Sequence, residues 1–210
     1  MIEFRRDKHR FFDDLLTMLN SMSSLAAAME CVINEPSLSR IFIDSSYPIA
    51  IYSVIEKKGL EFHPYALLKI MSGNDKWPAR FVEFTEVPYY DGSLEQLNPG
   101  AFALSSSSFF HTIELITQSA FIRYYETLVP EVEDKFGSDP QRWPSVWNFA
   151  RVIRNAFAHG GKIYFQKPIS PIVSWKTQTY SPSDNGRQIM GKDISHGDII
   201  LLMAEMDAAI

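Results

Sequence analysis

The sequence predicts a mainly α fold: a bundle of four or five helices, a small β-hairpin after the motif-bearing helix, and an irregular α/β insertion in the first half. Three observations predict it. An apolar seam at helical spacing runs from Phe11 to Val32. A second apolar stripe starts at Phe109, just after four serines able to cap a helix. A third stretch, Pro144 to Gly161, opens on proline, closes on two glycines and gathers arginine, amide and imidazole side chains on one face.

The 210 residues read as one domain, 1–210, with the N-terminal helix and a divergent insertion in 1–100 and a motif-bearing core in 101–210. A hydrophobic content of 46% with 13% aromatic residues supplies a core and excludes global disorder. The net charge of −5 excludes bulk affinity for nucleic acid, so any RNA contact has to rest on a local basic patch. Cys31 is the single cysteine, which rules out an intramolecular disulfide and a cysteine-based zinc site. Beside Met29 and Val32 on a helix, it reads as a structural thiol rather than a nucleophile. The N-terminus lacks the apolar run of a signal peptide, and no window approaches the roughly 20 apolar residues of a membrane span. A cytoplasmic protein is expected.

In chain order, Asp7 to Ile33 is predicted as one long helix. Phe11, Leu15, Met18, Met22, Leu25, Met29 and Val32 repeat at alternating spacings of four and three, a seam for lengthwise packing. The preceding cluster Arg5, Arg6, Lys8, His9 and Arg10 is either a solvated helix start or an electrostatic RNA contact. Asn34 to Ser37 breaks the helix. Pro48 to Lys58 fits a proline-opened helix or a β-branched strand equally well, and Leu60 to Ile70 is divided in the same way, with Pro64 interrupting any helix. Residues 72–100 carry loop chemistry, with a strand expected at Arg80 to Glu86.

Phe109 to Leu128 is predicted as the next helix, ended by Pro130 and Gly137. Its residues His111, Glu114, Gln118 and Tyr125 share a line that is either a solvated face or a support for the motif helix, with Glu114 pairing an arginine. Beyond Gly161, Lys162 to Gln166 and Pro171 to Tyr180 are expected as short strands. Gly197 to Ile210 closes the chain as a helix with a stripe of Ile199, Leu202, Met203 and Met206, and Asp198 near its positive end.

The motif helix carries the chemistry. Val146, Phe149, Ala150, Ile153 and Phe157 form its apolar stripe. At roughly 100° per residue, Arg151, Arg154, Asn155, Ala158 and His159 share an arc of about 140° turned away from that stripe. The carbonyls of the last turn favour a protonated imidazole at His159 while the arginines oppose it, a balance that suits a proton carrier.

Arg154-Asn155-Ala156-Phe157-Ala158-His159 is R-x4-H with a polar residue directly after the arginine. It resembles the R-x(4–6)-H signature of the HEPN superfamily, over about residues 105–161. The resemblance implies a HEPN-like helical bundle and a metal-independent endoribonuclease, of the kind used as toxins or anti-phage effectors. It further implies a site shared between two protomers, with Arg154 holding the scissile phosphate, His159 moving protons and Asn155 orienting them. Arg151 is the candidate for further substrate binding. RNA as substrate, a homodimer and a neutralising antitoxin protein are the implied partners, with no cofactor and no metal. The alternative is a catalytically inactive dimeric binding or scaffold module of the same build.

Other constellations are set aside. Asp193, His196 and Asp198 match no metal-ligand spacing and read as the first turn of a helix. His63, ahead of Pro64, reads as structural. The nucleophile elbow, the P-loop and the dinucleotide-binding glycine fingerprint are all missing.

Overall fold

The computed structural model describes residues 1–33, 49–62, 81–88, 99–166 and 171–210. These described residues form four α-helices and six strands. The chain divides into two compact units, Met1–Tyr52 with Lys58–Ile116 and Ser53–Lys57 with Thr117–Ile210. The expectations for Asn34 to Ser37, for His63 and Pro64, and for the loops within 72–80 and 89–98 fall outside the described residues, as does the side chain of Cys31.

The first unit is built on β1 (Ile2–Arg5), α1 (Phe12–Ile33), β2 (Ile49–Ser53), β3 (Lys58–Phe62) and β4 (Phe81–Pro88). The strands form one sheet in the order β1-β4-β3-β2, with both β1 and β3 antiparallel to β4. Alternation decides its faces: Phe4, Leu60, Phe62, Val82 and Phe84 are buried, whereas Glu83, Thr85 and Glu86 are exposed. Edge-to-face contacts link Phe62 to Phe84 at 5.9 Å, Phe84 to Phe4 at 5.8 Å, and Phe4 to Phe11 at 5.1 Å. Gly59 is required by a close approach, since a Cβ there would lie 2.5 Å from Val87 Cγ2.

This sheet corrects two expectations. The described part of the first half carries an ordered four-stranded antiparallel sheet, and the described residues are mixed α/β rather than plainly a helical bundle. β4 is the longest of these strands, and β1, although it alternates as I-E-F-R, is only four residues long. The other strands are short, and the pairing of β1 with β4 joins distant stretches of chain. The region left open as helix or strand resolves to β2, as its I-A-I-Y-S composition allows.

Helix α1 also starts later than expected, at Phe12 rather than Asp7. The basic cluster before it forms the end of β1 and a turn, in which the Arg5 N–H donates to His9 Nδ1 and the His9 N–H to the Arg5 carbonyl, each at 2.9 Å. Arg5 pairs with Asp7 and Arg6 with Asp13, so these two charges of the cluster are compensated locally. The predicted seam is buried at Phe11, Leu15, Met18 and Met22, and Phe12, Leu16 and Leu19 widen it.

The second unit contains the later part of α2 (Pro99–Phe136), α3 (Ser145–Ala158), the hairpin β5 (Val173–Trp175) and β6 (Gln178–Tyr180), and α4 (His196–Ala208). Helix α2 overruns the predicted Phe109 to Leu128 at both ends, so Ser105 to Ser108 lie inside it and Pro130 does not stop it. Leu128 and Val132, on either side of the exposed Pro130, are both buried. Their packing offsets the roughly 3 kcal/mol that an internal proline costs. The His111 to Tyr125 line is not a solvated face, because Gln118 and Tyr125 are buried.

The indole N–H of Trp147 on α3 donates to the Met206 carbonyl on α4 at 3.0 Å, and the Tyr124 hydroxyl on α2 donates to Met203 O at 3.3 Å. Helix α4 buries Ile200 and Leu201 as well as its predicted stripe, so it is enclosed on more than one side. Phe149 of α3 meets Trp175 at 5.7 Å and stacks on Tyr180 at 5.5 Å, which docks the expected hairpin onto the motif helix. The two-residue turn Lys176-Thr177 places Lys176 at a φ of 51°, the left-handed conformation such turns use.

Lys162 to Gln166, expected as a strand, joins no ladder beyond a single bridge from Lys162 to Gln188. Its backbone is satisfied by a loop instead. Asn185 Oδ1 accepts from the Phe165 N–H at 2.6 Å, and Asn185 Nδ2 donates to the Phe165 carbonyl at 3.2 Å. Among the described residues, no helix is long and apolar enough to cross a membrane.

Candidate functional site

Helix α3 is the predicted motif helix, within a residue at each end. It buries Trp147, Phe149, Ala150, Val152, Ile153, Ala156 and Phe157, so the stripe is found with Trp147, Val152 and Ala156 added and Val146 only half-buried. Its C-terminus is a glycine-closed cap. The Gly161 N–H donates to the Ala156 carbonyl at 2.9 Å and the Gly160 N–H to the Phe157 carbonyl at 3.3 Å. Gly160 and Gly161 take φ values of 69° and 77°, the left-handed backbone this reversal requires. His159 is therefore held at the last turn of a terminated helix, exposed to solvent.

The four predicted site residues divide into two groups. Arg154 is half-buried and already engaged: its Nε donates to Glu126 Oε1 at 2.5 Å, and its Nη1 donates to Asn155 Oδ1 at 3.3 Å. Asn155 is thus hydrogen-bonded to the arginine beside it. Arg151, one turn earlier, is in the opposite condition. Its Nε is buried without a hydrogen-bond partner, and among the described residues no carboxylate forms an ion pair with it. Arg151 as a whole is only half-buried, so its remaining N–H groups can meet an incoming anion without displacing an ion-paired carboxylate.

Arg151 and Asn155 line a groove of about 720 Å³ together with Asn148 and Tyr164. The ring of Tyr164 lies 4.2 Å from the imidazole of His159, centroid to centroid, with the planes at 41°. The aromatic pair therefore links the helix end that carries His159 to the groove that carries Arg151.

Three of these participants were not singled out from the sequence. Asn148 was legible, because Asn148, Arg151 and Asn155 fall at i, i+3 and i+7 on one helical face. Glu126 stood on a helix whose facing could not be read from α3. Tyr164 had no signal, since the left-handed glycines decide where the chain returns. Near the same helix, the Tyr125 hydroxyl is held protonated well above its ordinary range by burial, with the charge of Arg151 opposing that shift.

His196 and Asp198 lie in the first turn of α4, as expected, whereas Asp193 precedes its N-cap Ser195. Ser195 and Asp198 form a capping box. Asp193 accepts from Arg187 at 2.7 Å and from the Tyr180 hydroxyl at 3.2 Å, and the ring of His196 is hydrogen-bonded to Thr117 Oγ1 at 2.9 Å. The three side chains serve separate sets of partners.

Comparison of the chain with family models, with curated proteins and with solved structures finds no match.

Proposed function

We propose that the polar face of α3 is the working face of a metal-independent endoribonuclease, acting as a toxin or anti-phage effector in the cytoplasm. The observation that carries the reading is the pairing of an exposed imidazole at a helix end with a guanidinium that forms no ion pair among the described residues, in an adjoining groove.

In the proposed reaction the ribose 2′-oxygen attacks the neighbouring phosphorus, and the bond to the 5′-oxygen of the next nucleotide breaks. The products are a 2′,3′-cyclic phosphate and a 5′-hydroxyl. His159 moves a proton between the 2′-hydroxyl and the leaving oxygen. Arg151 and Arg154 bind the phosphate oxygens, which suits their fixed charge and forked geometry. Asn155 keeps Arg154 in place. The exposed Ala158 beside Arg154 gives a second copy room to approach, so that a homodimer apposes two such faces and an antitoxin protein can neutralise them.

The test is RNA cleavage by purified protein, with and without excess EDTA, for the wild type and His159→Ala. Cleavage that survives EDTA and drops about 10²–10⁴-fold in the variant supports the reading. Equal activity in the variant removes His159 from the chemistry. The tight contact of Arg154 with Glu126 favours a second reading, in which the face binds a partner without cutting it. Wild-type protein that binds RNA or itself but leaves RNA intact supports that one.

A further inference from the structure

We infer that the groove beside α3 is a subsite for one unpaired nucleobase and its phosphate, with Tyr164 as the stacking surface. For its ligand class this rests on the RNA reading of the same helix, which it deepens by naming the form of RNA selected and the residues that select it.

The groove, at about 720 Å³, falls within the roughly 300–1,000 Å³ of sites that enclose small ligands. Tyr164 remains 43% exposed although one of its neighbours is the His159 ring. A large exposed ring beside a polar groove accepts a base of any identity, because every base has a π face.

The two amides are assigned by their partners. Asn148 Nδ2 donates to the Trp143 carbonyl at 3.3 Å, which leaves its Oδ1 as an acceptor. Asn155 Oδ1 accepts from Arg154, which leaves its Nδ2 as a donor. One donor and one acceptor along a groove match the mixed edge of a nucleobase, an edge that a duplex keeps paired and a single strand exposes. Arg151, which lines the same groove and forms no ion pair among the described residues, completes the set as the partner for the attached phosphate. Asp139 also lines the groove, but its Oδ1 already accepts the Gln141 N–H at 3.1 Å.

The experiment is fluorescence anisotropy with an end-labelled 2′-O-methyl oligoribonucleotide, which cannot undergo 2′-hydroxyl attack, as a single strand and as a duplex. Wild-type protein is expected to bind the single strand at least about tenfold more tightly than the duplex. Tyr164→Ala should weaken single-strand binding by roughly tenfold, while Tyr164→Phe, which keeps the ring, should not. Arg151→Gln should weaken binding and flatten its salt dependence by a slope of about 0.7, one phosphate contact on a single strand. Equal affinity for duplex, an unaltered Tyr164→Ala, or no binding at all overturns the inference.

A parallel cleavage assay on unmodified RNA separates the two readings. Cleavage with groove variants unchanged in binding sinks the subsite and leaves the nuclease standing. Ring-dependent binding without cleavage does the reverse.

Discussion

Arg154 reaches from α3 to Glu126 on α2, a residue 28 positions earlier, and donates its Nε–H to that carboxylate at 2.5 Å. The guanidinium at the head of the R-x4-H spacing is therefore paired in the isolated chain, whereas Arg151 one turn away forms no ion pair among the described residues. A phosphate arriving at this face competes with Glu126 for Arg154 and meets no such competitor at Arg151.

Glu126→Gln removes the competitor. RNA affinity should rise several-fold, and the dependence of log K on log salt should steepen by about 0.7, one more phosphate contact. Stability should change by less than about 1 kcal/mol, because both side chains are substantially exposed. Salt titrations of binding check this, and an unaltered affinity would mean that Arg154 does not meet RNA.

In growing cells, overproduction of the wild-type chain should arrest growth and fragment RNA unless a neutralising partner is present. Arg154→Ala should relieve the arrest, since one lost donor to a developing anion costs on the order of 10²–10³ in rate. Growth curves with RNA integrity read in parallel decide it. Healthy growth with the wild type favours the binding module.

Asp198 is fully buried and accepts from the Ser53 hydroxyl at 2.5 Å, the Val54 N–H at 3.0 Å and the Ile55 N–H at 3.2 Å. It also accepts from the Ser195 N–H at 2.9 Å and the Ser195 hydroxyl at 2.7 Å. Asp198→Ala orphans these donors and should destabilise the protein by on the order of 3 kcal/mol, read as a lowered urea midpoint. A loss below about 1 kcal/mol would mean that water replaces the carboxylate.

His196 gives the fold an acid-sensitive point. Burial pushes its imidazole down from 6.5 to about 4, so the folded state binds fewer protons than the unfolded state between those values. Stability from this group is therefore complete above about pH 6.5 and is lost as pH falls toward 4, to a total of about 3 kcal/mol. Urea unfolding from pH 7 to pH 4 should show the decline, and His196→Gln should flatten it. A parallel decline in both proteins would place the acid sensitivity elsewhere.

Legibility followed range along the chain. Helices α1 and α4, the strand near Arg80 to Glu86 and the hairpin within Pro171 to Tyr180 were readable, because their spacing and turn residues act over a few positions. The sheet order was not, since β1 reaches β4 across most of the first unit. Pro130 misled for the same reason: its cost is local, and the burial of Leu128 and Val132 that outweighs it is not. The extended run after Gly161 alternates like a strand, yet its partners are one bridge, the loop backbone at Gly186 and Arg187, and the Asn185 side chain.

For the candidate site the division is sharper still. The sequence by itself determined α3: its span, its glycine-closed end, and the presence of Arg151, Arg154, Asn155 and His159 on the face opposite the apolar stripe. Helical period and cap chemistry are short-range sterics and hydrogen bonding, fixed within a turn or two of backbone. Only the tertiary structure decided that Glu126 claims Arg154, that Arg151 has no ion-pair partner among the described residues, and that Tyr164 comes back beside His159. Those outcomes depend on how separate segments pack, and packing is settled by burial over the whole unit rather than by any one stretch of residues.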